Sequence, residues 1–79
     1  MAVLRLFASA RDAAGTGRVE VPGATVAEVL DAARQRFGDA FVAVLPTCAI
    51  WRNGEACEPH DPVTDADEVA VLPPVSGGT

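Results

Sequence analysis

The chain has 79 residues, 49% hydrophobic and 22% charged, which suits one small globular domain and nothing larger. A chain this short buries only about 60% of its unfolded surface, which argues against a deep internal active site. The net charge of −5 and isoelectric point near 4.5 argue against nucleic acid, whose phosphates need a basic face.

In chain order, Ala2 to Ala8 sets Val3, Arg5 and Phe7 against Leu4, Leu6 and Ala8. Both sets are largely apolar, which predicts a strand near the middle of a sheet. Asp12 to Gly17 carries two glycines and reads as the turn of a hairpin, returning through the alternating strand Arg18-Val19-Glu20-Val21. Pro22-Gly23 stops that strand. Thr25-Val26-Ala27-Glu28 then has capping-box form, a hydroxyl with a carboxylate three residues on. Val26, Val29, Leu30, Ala33 and Phe37 form one apolar stripe at helical spacing. Arg34 and Arg36 sit where the helix dipole favours cations, and Gly38 supplies the stop. A helix over Val26 to Phe37 follows, its stripe predicted to be buried.

Asp39 to Leu45 reads either as a short helix capped by Asp39 or as a buried loop, ended by Pro46. Cys48 to Arg52 reads as a strand, Asn53-Gly54 as a tight turn, and Glu55 to Glu58 as at most a short strand. Pro59 to Asp67 is an acidic loop. Glu68 to Leu72 is the last strand, which Pro73-Pro74 forbids to continue. The apolar last strand pairs most economically with the equally apolar first one. That predicts an α+β protein, a four- or five-stranded mixed sheet with one main helix on one face: the β-grasp, or ubiquitin-like, arrangement. Residues 1–72 make the domain and 73–79 a flexible tail.

The chemical inventory is thin. Lysine is absent, so a Schiff-base lysine is excluded. The single histidine lies in Cys57-Glu58-Pro59-His60-Asp61, which lacks the ligand spacing of a zinc site and reads as a solvated loop; no metal site is expected. Two cysteines, Cys48 and Cys57, are too few for a secreted disulfide scaffold and read as small apolar residues. No apolar run reaches the roughly 20 residues of a membrane helix, and the opening residues lack a signal-peptide layout. No membrane role and a cytoplasmic location are expected.

The tail Pro73-Pro74-Val75-Ser76-Gly77-Gly78-Thr79 carries no charged side chain. Two prolines stiffen its base and two glycines remove Cβ atoms near its tip, a shape suited to entering a narrow channel on another protein. The alternative is a frayed terminus.

Asp65-Ala66-Asp67-Glu68-Val69-Ala70-Val71-Leu72-Pro73-Pro74-Val75-Ser76-Gly77-Gly78 matches the pattern D-G-D-E-V-A-x-x-P-P-V-x-G-G. Leu6 to Gly15 fits F-F-A-x-x-R-E-x-x-G, Thr25 to Leu30 fits a T-V-x-x-L helix start, and Arg52 to Glu55 fits x-N-G-E. On these motifs the chain resembles the MoaD/ThiS family of sulfur carriers, most closely the small subunits of molybdopterin synthase. Two positions depart from the pattern. Ala66 stands where glycine is usual, and Thr79 follows the second glycine, where the family's chain ends.

The resemblance implies a covalent carrier that is not an enzyme alone and holds no cofactor. An ATP-dependent adenylating partner activates the carboxylate of Gly78 once Thr79 is removed, by a trimming metalloprotease in some relatives. A sulfur donor then leaves a thiocarboxylate, which gives sulfur to cyclic pyranopterin monophosphate inside the large synthase subunit. Gly77 provides the thin approach, and Pro73, Pro74, Val75 and Ser76 form the inserted arm. Phe7 and Leu72 match an exposed apolar docking patch, with ordinary core packing as the alternative. Arg11 matches an arginine expected to pair with an acidic group of a partner. Sibling carriers feed cysteine or thiamin synthesis. A ubiquitin-like interaction module with no tail activation is the reading of a different class.

Overall fold

The computed structural model describes residues 1–74. In chain order the elements are β1 (Ala2–Leu6), α1 (Ala8–Ala14), β2 (Arg18–Val21), α2 (Val26–Phe37), α3 (Asp39–Val44), a 3-10 turn (Leu45–Thr47), β3 (Ala49–Arg52), β4 (Glu55–Ala56) and β5 (Glu68–Leu72). The five strands form one sheet in the order β2-β1-β5-β3-β4. β1 runs parallel to β5 and antiparallel to β2, while β3 runs antiparallel to both β5 and β4. This is the expected β-grasp, with the two most apolar strands paired at its centre.

Alternation decides which face is covered. Ala2, Leu4 and Leu6 of β1, Val69 and Val71 of β5 and Val21 of β2 are buried. They join Val26, Val29, Leu30 and Ala33 of α2 and Phe41 of α3 in one core. The intervening residues Val3, Arg5, Ala70, Leu72, Ala49 and Trp51 lie on the opposite, open face.

Helix α2 has the predicted bounds, and its cap explains why. Thr25 Oγ1 accepts from the Glu28 N–H at 3.2 Å, while Glu28 Oε1 accepts from the Ala24 N–H at 2.9 Å, one residue before the N-cap. Gly23, at φ +152°, brings the incoming chain so close that an added Cβ would lie 2.7 Å from the Val29 backbone nitrogen. Ala66 is not among the residues at positive φ, so the turn before β5 has no need of glycine.

Four expectations need correction. Asp12 to Gly17 is not a simple hairpin turn, because Asp12, Ala13 and Ala14 belong to α1. The run Ala-Ser-Ala-Arg-Asp-Ala-Ala has enough helix propensity to form two turns, and Gly15 ends it at φ +79° by donating to the Arg11 carbonyl. The first strand accordingly stops at Leu6, and Ala8 turns the chain into α1 at φ +48°. Residues 39–44 are helical, but Gly38 rather than Asp39 occupies the N-cap. Phe37 is only partly buried, meeting Phe41 edge-on with centroids 5.3 Å apart, and Phe41 is the fully buried aromatic.

Candidate functional site

The site is built where β1 and β5 end side by side. Their parallel register pairs Leu6 with Val71, and the Phe7 N–H donates to the Val71 carbonyl at 3.3 Å. Phe7 therefore sits beside Leu72 at the root of the tail. It is the N-cap of α1 and does not continue the strand, which turns its ring outward to 39% exposure. Leu72 and Pro73 are half-buried and Pro74 is exposed. Both predicted docking residues, Phe7 and Leu72, thus reach the surface instead of filling the core. Val75, Ser76, Gly77, Gly78 and Thr79 lie outside the described residues.

Beside Phe7 opens a cavity of about 530 Å³ between the end of β1, α1 and the start of β2. Arg5, Arg11 and Arg18 line it together with Phe7, Thr16 and Gly17, so half of the chain's six basic residues meet here. Register explains two of them, since Arg5 pairs with Arg18 across the β1–β2 ladder. The correction to the fold explains the third: helix α1 carries Arg11 back over the strand ends. The Arg11 stem lies against Gly17, where an added Cβ would sit 3.5 Å from its Cδ.

The arginines are incompletely neutralised. Arg5 reaches Glu68 at 3.6 Å and Arg18 reaches Glu20 at 3.9 Å, both solvent-exposed pairs of little energetic weight. Arg11 forms no ion pair among the described residues. The Arg5 guanidinium also lies 5.7 Å from the Phe7 ring centroid, within cation–π range.

Behind this cavity the open sheet face has an apolar middle. Trp51, 37% exposed, lies between Ala70 of β5 and Ala56 of β4 in the strand register, and Ala49 pairs with Leu72 one row nearer the tail. Flanked by small residues, the indole is the largest exposed side chain on this face. The far end of the sheet is acidic: Glu20, Val3 and Glu68 share one row, and the Met1 amine pairs with Asp65.

Elsewhere the chemistry is quiet. The Cys48 and Cys57 thiols donate to the carbonyls of Val44 and Ile50, and burial pushes both above the ordinary thiol range, away from the reactive thiolate. Among the described residues no three carboxylate, histidine or cysteine side chains gather to hold a metal ion, and His60 is exposed. Among the same residues no helix is long and apolar enough to cross a membrane.

Arg5, Arg18 and Trp51 were not singled out by sequence reasoning. For Trp51 the signal was present, because alternation in Ala49-Ile50-Trp51-Arg52 sets it opposite the core-facing Ile50. For the two arginines it was not, since their proximity needs the ladder register.

Comparison with known proteins agrees with this geometry. A family model described as the ThiS family matches residues 4–78. Small archaeal modifier protein 1 of Haloferax volcanii is 39% identical over 85 aligned positions, covering 94% of this chain and 97% of that protein. Its crystal structure superposes with a TM-score of 0.80 at 35% identity, over 96% of this chain and 97% of that one. The solution structure of the corresponding protein from Methanosarcina acetivorans gives a TM-score of 0.87 at 28% identity, covering 98% and 95% of the two chains. A chain in the complex of subunits 1 and 2 of the molybdopterin-converting factor from Helicobacter pylori gives 0.73 at 26% identity, over 98% and 97%. With a family model spanning nearly its whole length, the chain belongs to the ThiS family of ubiquitin-like sulfur carriers.

Proposed function

We propose that this carrier works through the carboxylate of Gly78, after removal of Thr79, and serves as the small subunit of molybdopterin synthase. The observation that carries this reading is the Pro-Pro-Val-Ser-Gly-Gly run, which starts directly at the end of β5 beside the exposed Phe7. A carboxylate resists nucleophiles through its charge and resonance. An adenylating partner removes both obstacles by joining a carboxylate oxygen to the α-phosphorus of ATP and releasing pyrophosphate. A sulfur donor then displaces AMP, leaving a thiocarboxylate on Gly78. The large synthase subunit receives the tail and directs that sulfur to cyclic pyranopterin monophosphate. Acids, bases and nucleotide-binding groups belong to the partners; the chain itself binds no cofactor and is no enzyme alone.

A second reading has a specific observation behind it. The 39% identity to a small archaeal modifier protein favours transfer of the same activated glycine to an amine of a target protein, with loss of AMP and formation of an amide. Both readings need the adenylate, so that step is tested first. The chain ending at Gly78 is incubated with its cognate adenylating enzyme, ATP and a sulfur donor, and intact mass is read. Replacement of one oxygen by sulfur is the expected result, with the Thr79-bearing chain a poor substrate. An added residue displaces the reacting carbon by roughly 3.3–3.6 Å, where misplacement by ~1 Å already costs about 10²-fold. A Gly78-ended chain that is never adenylated sinks both readings and leaves the interaction module. Addition of the thiocarboxylated chain to the large subunit and cyclic pyranopterin monophosphate then separates sulfur donor from modifier.

A further inference from the structure

The two edges of the sheet are not alike. β4 offers two residues, whereas β2 offers four, Arg18 to Val21, bordered by Gly17 and Pro22. An edge strand carries unpaired N–H and carbonyl groups that can take up another strand, a hazard that proteins hold in check with particular side chains. Which groups of β2 are unpaired follows from its ladder with β1. The Leu6 N–H donates to the Gly17 carbonyl at 3.0 Å, and the register pairs Leu4 with Val19 and Ala2 with Val21. Antiparallel hydrogen bonding alternates residue by residue. Gly17, Val19 and Val21 therefore face β1, while Arg18 and Glu20 turn their backbone groups outward.

One side chain already occupies part of this edge. Thr16 Oγ1 donates to the Arg18 carbonyl at 3.0 Å and accepts from the Arg18 N–H at 3.4 Å. A single hydroxyl thus takes both groups through which Arg18 could join another strand. Local bonds of this kind compete with a strand ladder instead of supporting it.

The side chains of the edge specify what fits it. Antiparallel pairing with a second copy must set outward-turned residues against outward-turned residues. One such register opposes Arg18 to Arg18 and another opposes Glu20 to Glu20, placing like charges face to face. The register centred on Val19 instead opposes Arg18 to Glu20 of the second copy, and does so twice. It also brings Val19 against Val19 of the second copy on the helix-covered side, where this residue is already partly buried against the core. The contact between Arg18 and its own Glu20, 3.9 Å and solvent-exposed, is weak enough to give way to the directly opposed pair. A two-fold axis at Val19 sends the β5 strands of the two copies in opposite directions, so both Leu72 ends stay uncovered.

We infer that the β2 edge is a strand-pairing surface for a second copy of this chain, in the antiparallel register centred on Val19, and that the Thr16 hydroxyl holds this surface closed. The inference stands apart from the carrier reading, because no tail residue takes part in it.

Thr16→Val keeps the branched shape of the side chain and removes its hydroxyl. In sedimentation equilibrium of the full chain, Thr16→Val should raise the dimer association constant at least about 10-fold over wild type, since each copy releases a hydroxyl-held strand position. Thr16→Ser keeps the hydroxyl and should associate no more than wild type. In the Thr16→Val background, Glu20→Arg should abolish association, and the exchanged pair Arg18→Glu/Glu20→Arg should restore it. Amide hydrogen exchange gives a second readout that a merely structural role for Thr16 would not move. As concentration rises, the Glu20 amide of the Thr16→Val chain should become protected, while the Val19 amide, already turned to β1, should not change. Circular dichroism on each variant confirms that the fold is kept. A folded Thr16→Val chain that associates no more than wild type overturns the inference. Association that survives Glu20→Arg, that the exchanged pair fails to restore, or that leaves the Glu20 amide unprotected overturns it as well.

Discussion

Asp67 shows how one side chain ties the acidic turn to the sheet. Its carboxylate accepts from Asn53 Nδ2 at 2.9 Å and from the Thr64 N–H at 2.8 Å, while Asn53 Oδ1 takes the Glu68 N–H at 2.9 Å. Asn53 itself stands at φ +51° ahead of Gly54 at +84°, the left-handed pair that a two-residue hairpin turn requires. The hydrogen bond from Asn53 is the main reason that the Asp67 carboxyl is held below the usual range, followed by the Thr64 backbone bond. The sign follows directly. A folded pKa below the unfolded one gives stability that is full above the ordinary carboxylate range and is lost as pH falls through the folded value. Asn53→Ala should therefore move the Asp67 carboxyl upward in a carbon-detected NMR titration. The stability advantage of the wild type over that variant should shrink as the solution is acidified through the folded pKa. An unmoved Asp67 titration would assign the shift to Thr64 instead.

At the scale of elements, the corrected helices make a sharper prediction than the stripe alone. Phe41 of α3 is fully buried, whereas Phe37 at the end of α2 is only partly so. Phe41→Ala should cost about 3–5 kcal/mol and Leu30→Ala about 2–5, with Phe37→Ala clearly below Phe41→Ala. Denaturant unfolding checks the order, and equal losses at 37 and 41 would contradict this packing. The same contrast explains what the sequence made legible. α2 announces itself through a five-residue apolar stripe spanning twelve positions and a cap at each end, all local signals. β5 is bounded by acidic residues and two prolines. α1 was missed because seven residues rich in alanine show little apolar period, and the glycines after them resemble a hairpin. α3 stayed ambiguous because six residues are too few to separate a helix from a buried loop. Phe7, Arg11 and Leu72 came from motif resemblance and the outward side of Trp51 was legible in local alternation, whereas the meeting of Arg5 with Arg18 depends on the pairing of β1 with β2.

At the scale of the whole molecule, the described residues complete the fold ahead of the segment to which the proposed chemistry is assigned. Among the described residues, every strand pairing and every buried core residue lies between Ala2 and Leu72. Central β1 and β5 join the two ends of the domain, so closing their parallel ladder completes the core before the tail begins. A chain cut after Pro74 should unfold at the same denaturant midpoint as the full-length protein, and so should Gly78→Ala. The two should differ from the Gly78-ended chain only in activation. On the proposed carrier reading, the truncated form lacks the reacting carboxylate, and the alanine variant puts a Cβ where a partner's backbone would close around the tip. Adenylation should vanish in both, read by the absence of AMP transfer under conditions in which the Gly78-ended chain is fully converted. A lowered midpoint in the Pro74-ended chain would show that the tail also packs on the domain. Normal activation of Gly78→Ala would show that the tip is not held as closely as a narrow channel demands.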